Sequence, residues 1–72
     1  MKTFIITQNS GFVITITNVD VVECDEMHTL CFRNVGELMH IMVDNEGLGG
    51  TILGDVHQIR IDTRSIEKIR VR

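Results

Sequence analysis

The chain has 72 residues and a net charge of −3, with no proline, no tryptophan and no tyrosine. That length makes residues 1–72 one small domain, whose core covers only about 60% of the surface the unfolded chain exposes. The composition excludes a proline-rich linker and a disordered tract, and no apolar run approaches the ~18 residues of a transmembrane helix.

The first elements in chain order are two β-branched runs, "KTFIIT" and "FVITIT", separated by Gln8-Asn9-Ser10-Gly11. Asn and Gly tolerate the positive φ of tight turns, so this reads as a hairpin. In the second run Phe12, Ile14 and Ile16 share one face and Val13, Thr15 and Thr17 the other. A turn at Asn18-Val19-Asp20 leads to "DVVECD" and "HTLCFRN", a second hairpin closing around Glu26-Met27-His28. Pairing Val22 with Phe32 and Cys24 with Leu30 gathers the apolar residues on one face. That register turns Cys24 to the core and Cys31 the other way, beside Glu23.

In "NVGELMHIMVDN" the period changes. At about 100° per residue, Gly36, Glu37, His40 and Asp44 fall in one narrow arc. Val35, Leu38, Met39, Ile41, Met42 and Val43 fill the rest. Asn34 followed by Glu37 resembles a capping box. The pattern predicts a helix over about residues 35–45. Its apolar arc, roughly 200° wide, is broader than one sheet face covers, which leaves Met39, Ile41, Met42 and Val43 as candidates for contact with a partner.

"NEGLGGTILGD" then holds Gly47, Gly49, Gly50 and Gly54. Phosphate loops precede a helix, whereas these glycines follow the expected one, and no Gly-Lys-Ser or Gly-Lys-Thr is present. The preferred reading is a left-handed helix stop at Gly47 or Gly49, with Gly50 and Gly54 loosening the return. The alternative is a ligand loop at Gly47, Gly49 and Gly50. The last segment, "HQIRIDTRSIEKIRVR", reads as two strands joined by a tight turn at Asp62-Thr63-Arg64-Ser65, with aliphatic inward faces and basic outward faces. Ile66 is expected to plug the core.

The expected fold is therefore α+β: an antiparallel meander of about four strands, one helix, and two C-terminal strands closing the sheet. A helix-free, SH3-like barrel is the alternative if "ELMHIMV" is a strand.

Chemistry is sparse. Cys24, His28 and Cys31 lack the two close ligand pairs of a structural zinc site, and the chosen register separates the thiols. Glu23, Asp25 and Glu26 cluster at a hairpin tip without the calcium-loop pattern. No nucleophile elbow or Cys–His signature is present, which argues against an enzyme and gives no cofactor or metal. Acidic residues dominate 1–56, whereas Arg60, Arg64, Lys68, Arg70 and Arg72 make the end basic.

Three functions are weighed. The first is a non-enzymatic protein-binding module: a small homo-oligomeric inhibitor or regulatory protein, of a size and acidity that suit a phage-encoded inhibitor of a host system. The second is a nucleic-acid-associated β protein using the C-terminal arginines, against which stand the acidic chain and the missing Trp and Tyr. The third is a nucleotide or small-molecule binder using the glycine loop at a subunit interface. A cytoplasmic protein without a membrane partner is expected in each case.

Overall fold

The computed structural model of the chain describes residues 1–45 and 49–72, with side chains described outside 46–53. It contains β1 (Lys2–Gln8), β2 (Phe12–Val19), β3 (Val21–Cys24), β4 (Thr29–Arg33), β5 (Met39–Asn45), β6 (Gly49–Val56), β7 (Gln58–Asp62), a 3-10 turn (Thr63–Ser65) and β8 (Ile66–Val71). The fold is all-β. A five-stranded sheet runs β6-β5-β2-β1-β8 and a three-stranded sheet runs β3-β4-β7. All pairings are antiparallel.

β2 passes into β3 after Asp20, β4 into β5 after a short bend, and β6 into β7 after His57. Each passage carries the chain from one sheet to the other. Antiparallel sheets with one buried face show period-two burial. Here Ile6, Ile14, Ile16, Val19, Met39 and Ile41 line the inner side of the larger sheet, and Phe32 and Ile61 that of the smaller. Phe4 and Phe32, one from each sheet, meet edge to face with centroids 5.1 Å apart.

The corners are held by polar groups. Asn34 is 5% exposed. Its Oδ1 accepts the Asp20 N–H at 2.7 Å, its Nδ2 donates to Asn18 O, and its backbone N–H donates to His57 O at 2.9 Å. One side chain and its own backbone thus join three of the four places where the chain crosses between sheets, the fourth being the 3-10 turn between β7 and β8. Asn18 adopts φ 67° and donates from Nδ2 to Leu38 O at 2.9 Å.

The hairpins match the sequence expectation. Gly11 has φ 95° in the β1–β2 turn. The β3–β4 register pairs Val22 with Phe32, Cys24 with Leu30 and Glu23 with Cys31. The Asp25 carboxylate closes that turn by accepting from the Met27 and Thr29 N–H groups at 2.9 and 3.0 Å. Asp62 Oδ1 accepts the Arg64 N–H at 2.9 Å and so caps the 3-10 turn. Ile66 packs against the core beyond it.

The expected helix over 35–45 does not form. Residues 39–45 are β5, with Met39 and Ile41 buried, Val43 against the core, and His40 and Met42 exposed. The α+β fold is replaced by the all-β alternative. The capping-box residues serve the bend instead: Asn34 as above, and Glu37 Oε2 as acceptor from Asn18 Nδ2 at 3.3 Å. The helix stop falls with the helix. Gly49 and Gly50 begin β6, paired with Asn45 and Asp44, and Gly54 sits at φ 112° beside a register shift opposite Ile41. Gly47 lies outside the described residues. Cys24 is exposed rather than core-facing, because it ends the short outer strand β3.

Candidate functional site

β8 is an outer strand of the larger sheet, bonded to β1 on one side. Its hydrogen-bond phase follows from its end. Arg72 N–H donates to Thr3 O at 2.8 Å and Thr3 N–H donates to Arg72 O at 3.0 Å. In an antiparallel pair such mutual bonding recurs every second residue. Arg70 and Lys68, opposite Ile5 and Thr7, therefore turn their backbone groups to β1. Ile69 and Val71, opposite Ile6 and Phe4, turn theirs to the open edge.

Side chains follow the same alternation. Ile69 and Val71 share the inner face with Ile6 and Phe4, yet they are 40% and 54% exposed, because no further strand covers them among the described residues. Arg70 lies on the outer face in a row with Ile5, Thr15 and Met42, none of them charged. Lys68 lies in a row with Thr7, Val13 and Asp44, and shares a shallow concavity with Asp44 and Glu67. Neither Arg70 nor Arg72 forms an ion pair among the described residues.

The other three outer strands offer less. β3 spans four residues, β7 five, and β6 holds Gly49, Gly50 and Gly54.

Two further places combine polar groups. On the smaller sheet the row Glu23–Cys31–Arg60 crosses all three strands. Arg33 bonds Glu23 at 2.8 Å, and that hydrogen bond and charge raise the Arg33 guanidinium above its ordinary pKa. On the larger sheet Thr17, His40 and Asp55 are successive cross-strand neighbours, with His40 Nδ1 2.5 Å from Asp55 Oδ1. They rim an open concavity of about 420 Å³ with Met42 and Thr15. No group of three or more His, Cys, Asp or Glu is placed to hold a metal among the described residues.

The residues expected to meet a partner separate. Met39 and Ile41 are 0% and 4% exposed, Val43 is half-buried, and Met42 alone of the four projects outward. The expected basic stripe also divides. Arg60 lies on β7 in the smaller sheet, and Arg64 is bound to Asp62 through Nε and Nη2 at 3.0 and 2.8 Å. Lys68, Arg70 and Arg72 remain together on one edge. The alternation of this segment was legible in the sequence, but its place at an open edge was not. Strand order depends on long-range pairing, which local pattern does not carry.

No protein-family model matches the chain, and neither the curated proteins nor the solved structures contain a match. The expectations of an inhibitor, a viral origin and a homo-oligomeric state find no support in the all-β structure or in these comparisons, and are withdrawn. No helix among the described residues is long and apolar enough to cross a membrane.

Proposed function

We propose that this protein is a non-enzymatic binding module that accepts an extended segment of a partner protein along β8. A single observation supports this reading most strongly. Ile69 and Val71 combine outward-turned backbone groups with apolar side chains left 40% and 54% exposed. An extended segment laid on such an edge gains main-chain hydrogen bonds and covers apolar surface at once, the mode called strand addition. Glu67, Lys68 and Arg70 blunt this edge against indiscriminate pairing, as charged edge residues do in natural sheets, yet Ile69 and Val71 leave apolar positions open along it.

The test uses Val71→Pro. The Val71 N–H points away from β1, so proline there removes a donor from the open edge and none from the fold. Affinity capture from nuclease-treated lysate of the source cells is compared for the natural chain and this variant, with the melting temperature as the folding control. The expected outcome is a captured protein lost with Val71→Pro, and slowed amide exchange at Ile69 and Val71 in the reconstituted complex. Capture that ignores the proline, the absence of any captured protein, or dependence on nucleic acid overturns the proposal.

A further inference from the structure

We infer that the segment accepted by β8 alternates apolar and acidic residues, read by Ile69 and Val71 on the inner face and by Arg70 and Arg72 on the outer. The inference rests on the strand-addition reading and names the partner's chemistry.

The register follows from the hydrogen-bond phase. An antiparallel partner strand forms its mutually bonded pairs with Ile69 and Val71, because their N–H and C=O groups face the edge. The partner side chains in those pairs lie on the inner face, beside side chains 40% and 54% exposed, and apolar groups fit there. The partner residue between them lies opposite Arg70, in the closer non-bonded pair with Cα atoms about 4.5 Å apart. A carboxylate fits there, since opposite charges directly across a ladder stabilise and like charges destabilise.

The charges around β8 separate the possible occupants. Arg70 and Arg72 lack an ion-pair partner among the described residues, and the row across the sheet from Arg70 is uncharged. Asp44 lies three strands from β8, about 14 Å at the usual strand spacing and beyond the physiological Debye length of about 8 Å. Glu67 is the one acid on β8 and lies three residues, about 10 Å, from Arg70. With Lys68 and Arg72 on the same face as Arg70, the local field there is positive although the chain is acidic overall. A second copy of β8 is a poor occupant, because antiparallel self-pairing sets Lys68, Arg70 and Arg72 of one chain beside those of the other on one face. A segment with carboxylates at alternate positions has no such conflict.

The probes are two fluorescein-labelled seven-residue peptides, one alternating valine and glutamate, the other valine and lysine, with a labelled ten-nucleotide oligouridylate. Binding is read by anisotropy against the natural chain, the Arg70→Glu/Arg72→Glu double variant and Val71→Pro, each checked for folding by circular dichroism. The glutamate peptide is expected to bind the natural chain at least fivefold more tightly than the lysine peptide. The double variant is expected to reverse that order, and Val71→Pro to abolish the binding. Equal binding of both peptides, lost with Val71→Pro, overturns the acidic specificity and leaves strand addition standing. No binding by either peptide, or binding untouched by Val71→Pro, overturns both. Oligouridylate bound more tightly than the glutamate peptide, and released by the double variant, assigns the basic edge to nucleic acid and overturns the inference.

Discussion

Asn34 Oδ1 accepts the backbone N–H of Asp20 at 2.7 Å, across fourteen residues of sequence. The two residues stand where β4 and β2 leave one sheet for the other, so the bond fixes the corner between the sheets. Asn34 is the buried polar side chain of the described core, and each of its side-chain atoms that can bond does so. Asn34→Ala leaves the Asp20 N–H and the Asn18 C=O without partners. The two bonds are only partly buried, so the groups left unsatisfied together cost about 1–3 kcal/mol, the loss expected in urea unfolding. Asn34→Asp keeps the acceptor, loses the donor and buries a carboxylate. Protonation restores a donor, so this variant should recover stability relative to the natural chain as pH falls from 7 to 4. A natural-like midpoint for Asn34→Ala would show that the corner is held by packing alone.

Asn34 also explains where sequence reading failed. Both hairpins, the β3–β4 register and the 3-10 turn depend on residues within a few positions of one another: Gly11 with φ 95°, the Asp25 carboxylate on Thr29 N–H, Asp62 on Arg64 N–H. Local chemistry of that kind is visible in a sequence. The spacing of Asn34 and Glu37 imitates a helix cap, yet their partners are Asp20 and Asn18, far back in the chain. Met42 compounds the error. Met39, Ile41 and Val43 point inward in strand alternation, but Met42 is an apolar residue on the outer face, 42% exposed, and it spoils the period-two pattern. A helical template then fits better. The cations were legible as an alternating segment. Their division between β7, the 3-10 turn and β8 depends on topology, as does the open edge on which the proposed site rests.

The two sheets are joined by an aromatic pair as well as by the corner. Phe4 and Phe32 meet at 66° between ring planes, the edge-to-face geometry that aligns a positive ring edge with a negative face. Phe32 is fully buried and Phe4 partly so. Phe32→Leu should cost about 1–2 kcal/mol and Phe4→Leu less, since less of it leaves water. The double variant should be less destabilised than the sum, by a coupling of about 0.5–1.5 kcal/mol. Strict additivity in a double-mutant cycle would mean that the rings contribute only as separate apolar bodies.

Asp62 supplies a pH dependence with a definite sign. Its carboxyl is held at about 2, below the ordinary 3.8, first by the Arg64 guanidinium hydrogen bonds and then by the Arg64 backbone N–H. A group with a depressed folded pKa contributes stability that is complete above its unfolded pKa and lost as pH falls through the folded one. The window therefore runs from about pH 4 down to about pH 2. Melting temperatures of the natural chain and Arg64→Gln, measured from pH 5 to pH 2, should converge on acidification across that window. The pair is solvent-exposed, so the separation at pH 5 is expected to be small. Curves that stay parallel down to pH 2 would remove Arg64 as the cause.

Asp44 runs against the pattern of the outer sheet face and yields the last expectation. It sits in β5, paired along the ladder with Val13 and Gly50. Its Oδ1 is buried and has no hydrogen-bond partner among the described residues. A carboxylate oxygen withdrawn from water without compensation is a cost to the fold, and Asp is among the residues least suited to a strand. Valine removes the orphaned atom, and its branched side chain suits a half-buried pleated surface. Asp44→Val should therefore stabilise the chain by about 1 kcal/mol. In a domain of this size that corresponds to a rise of about 4–8 °C in melting temperature. The same variant leaves Ile69, Val71, Arg70 and Arg72 untouched, so its affinity for the alternating glutamate peptide should stay within twofold of the natural chain. A lower melting temperature would mean that the Asp44 carboxylate is held in place by a favourable contact and is not an uncompensated burial.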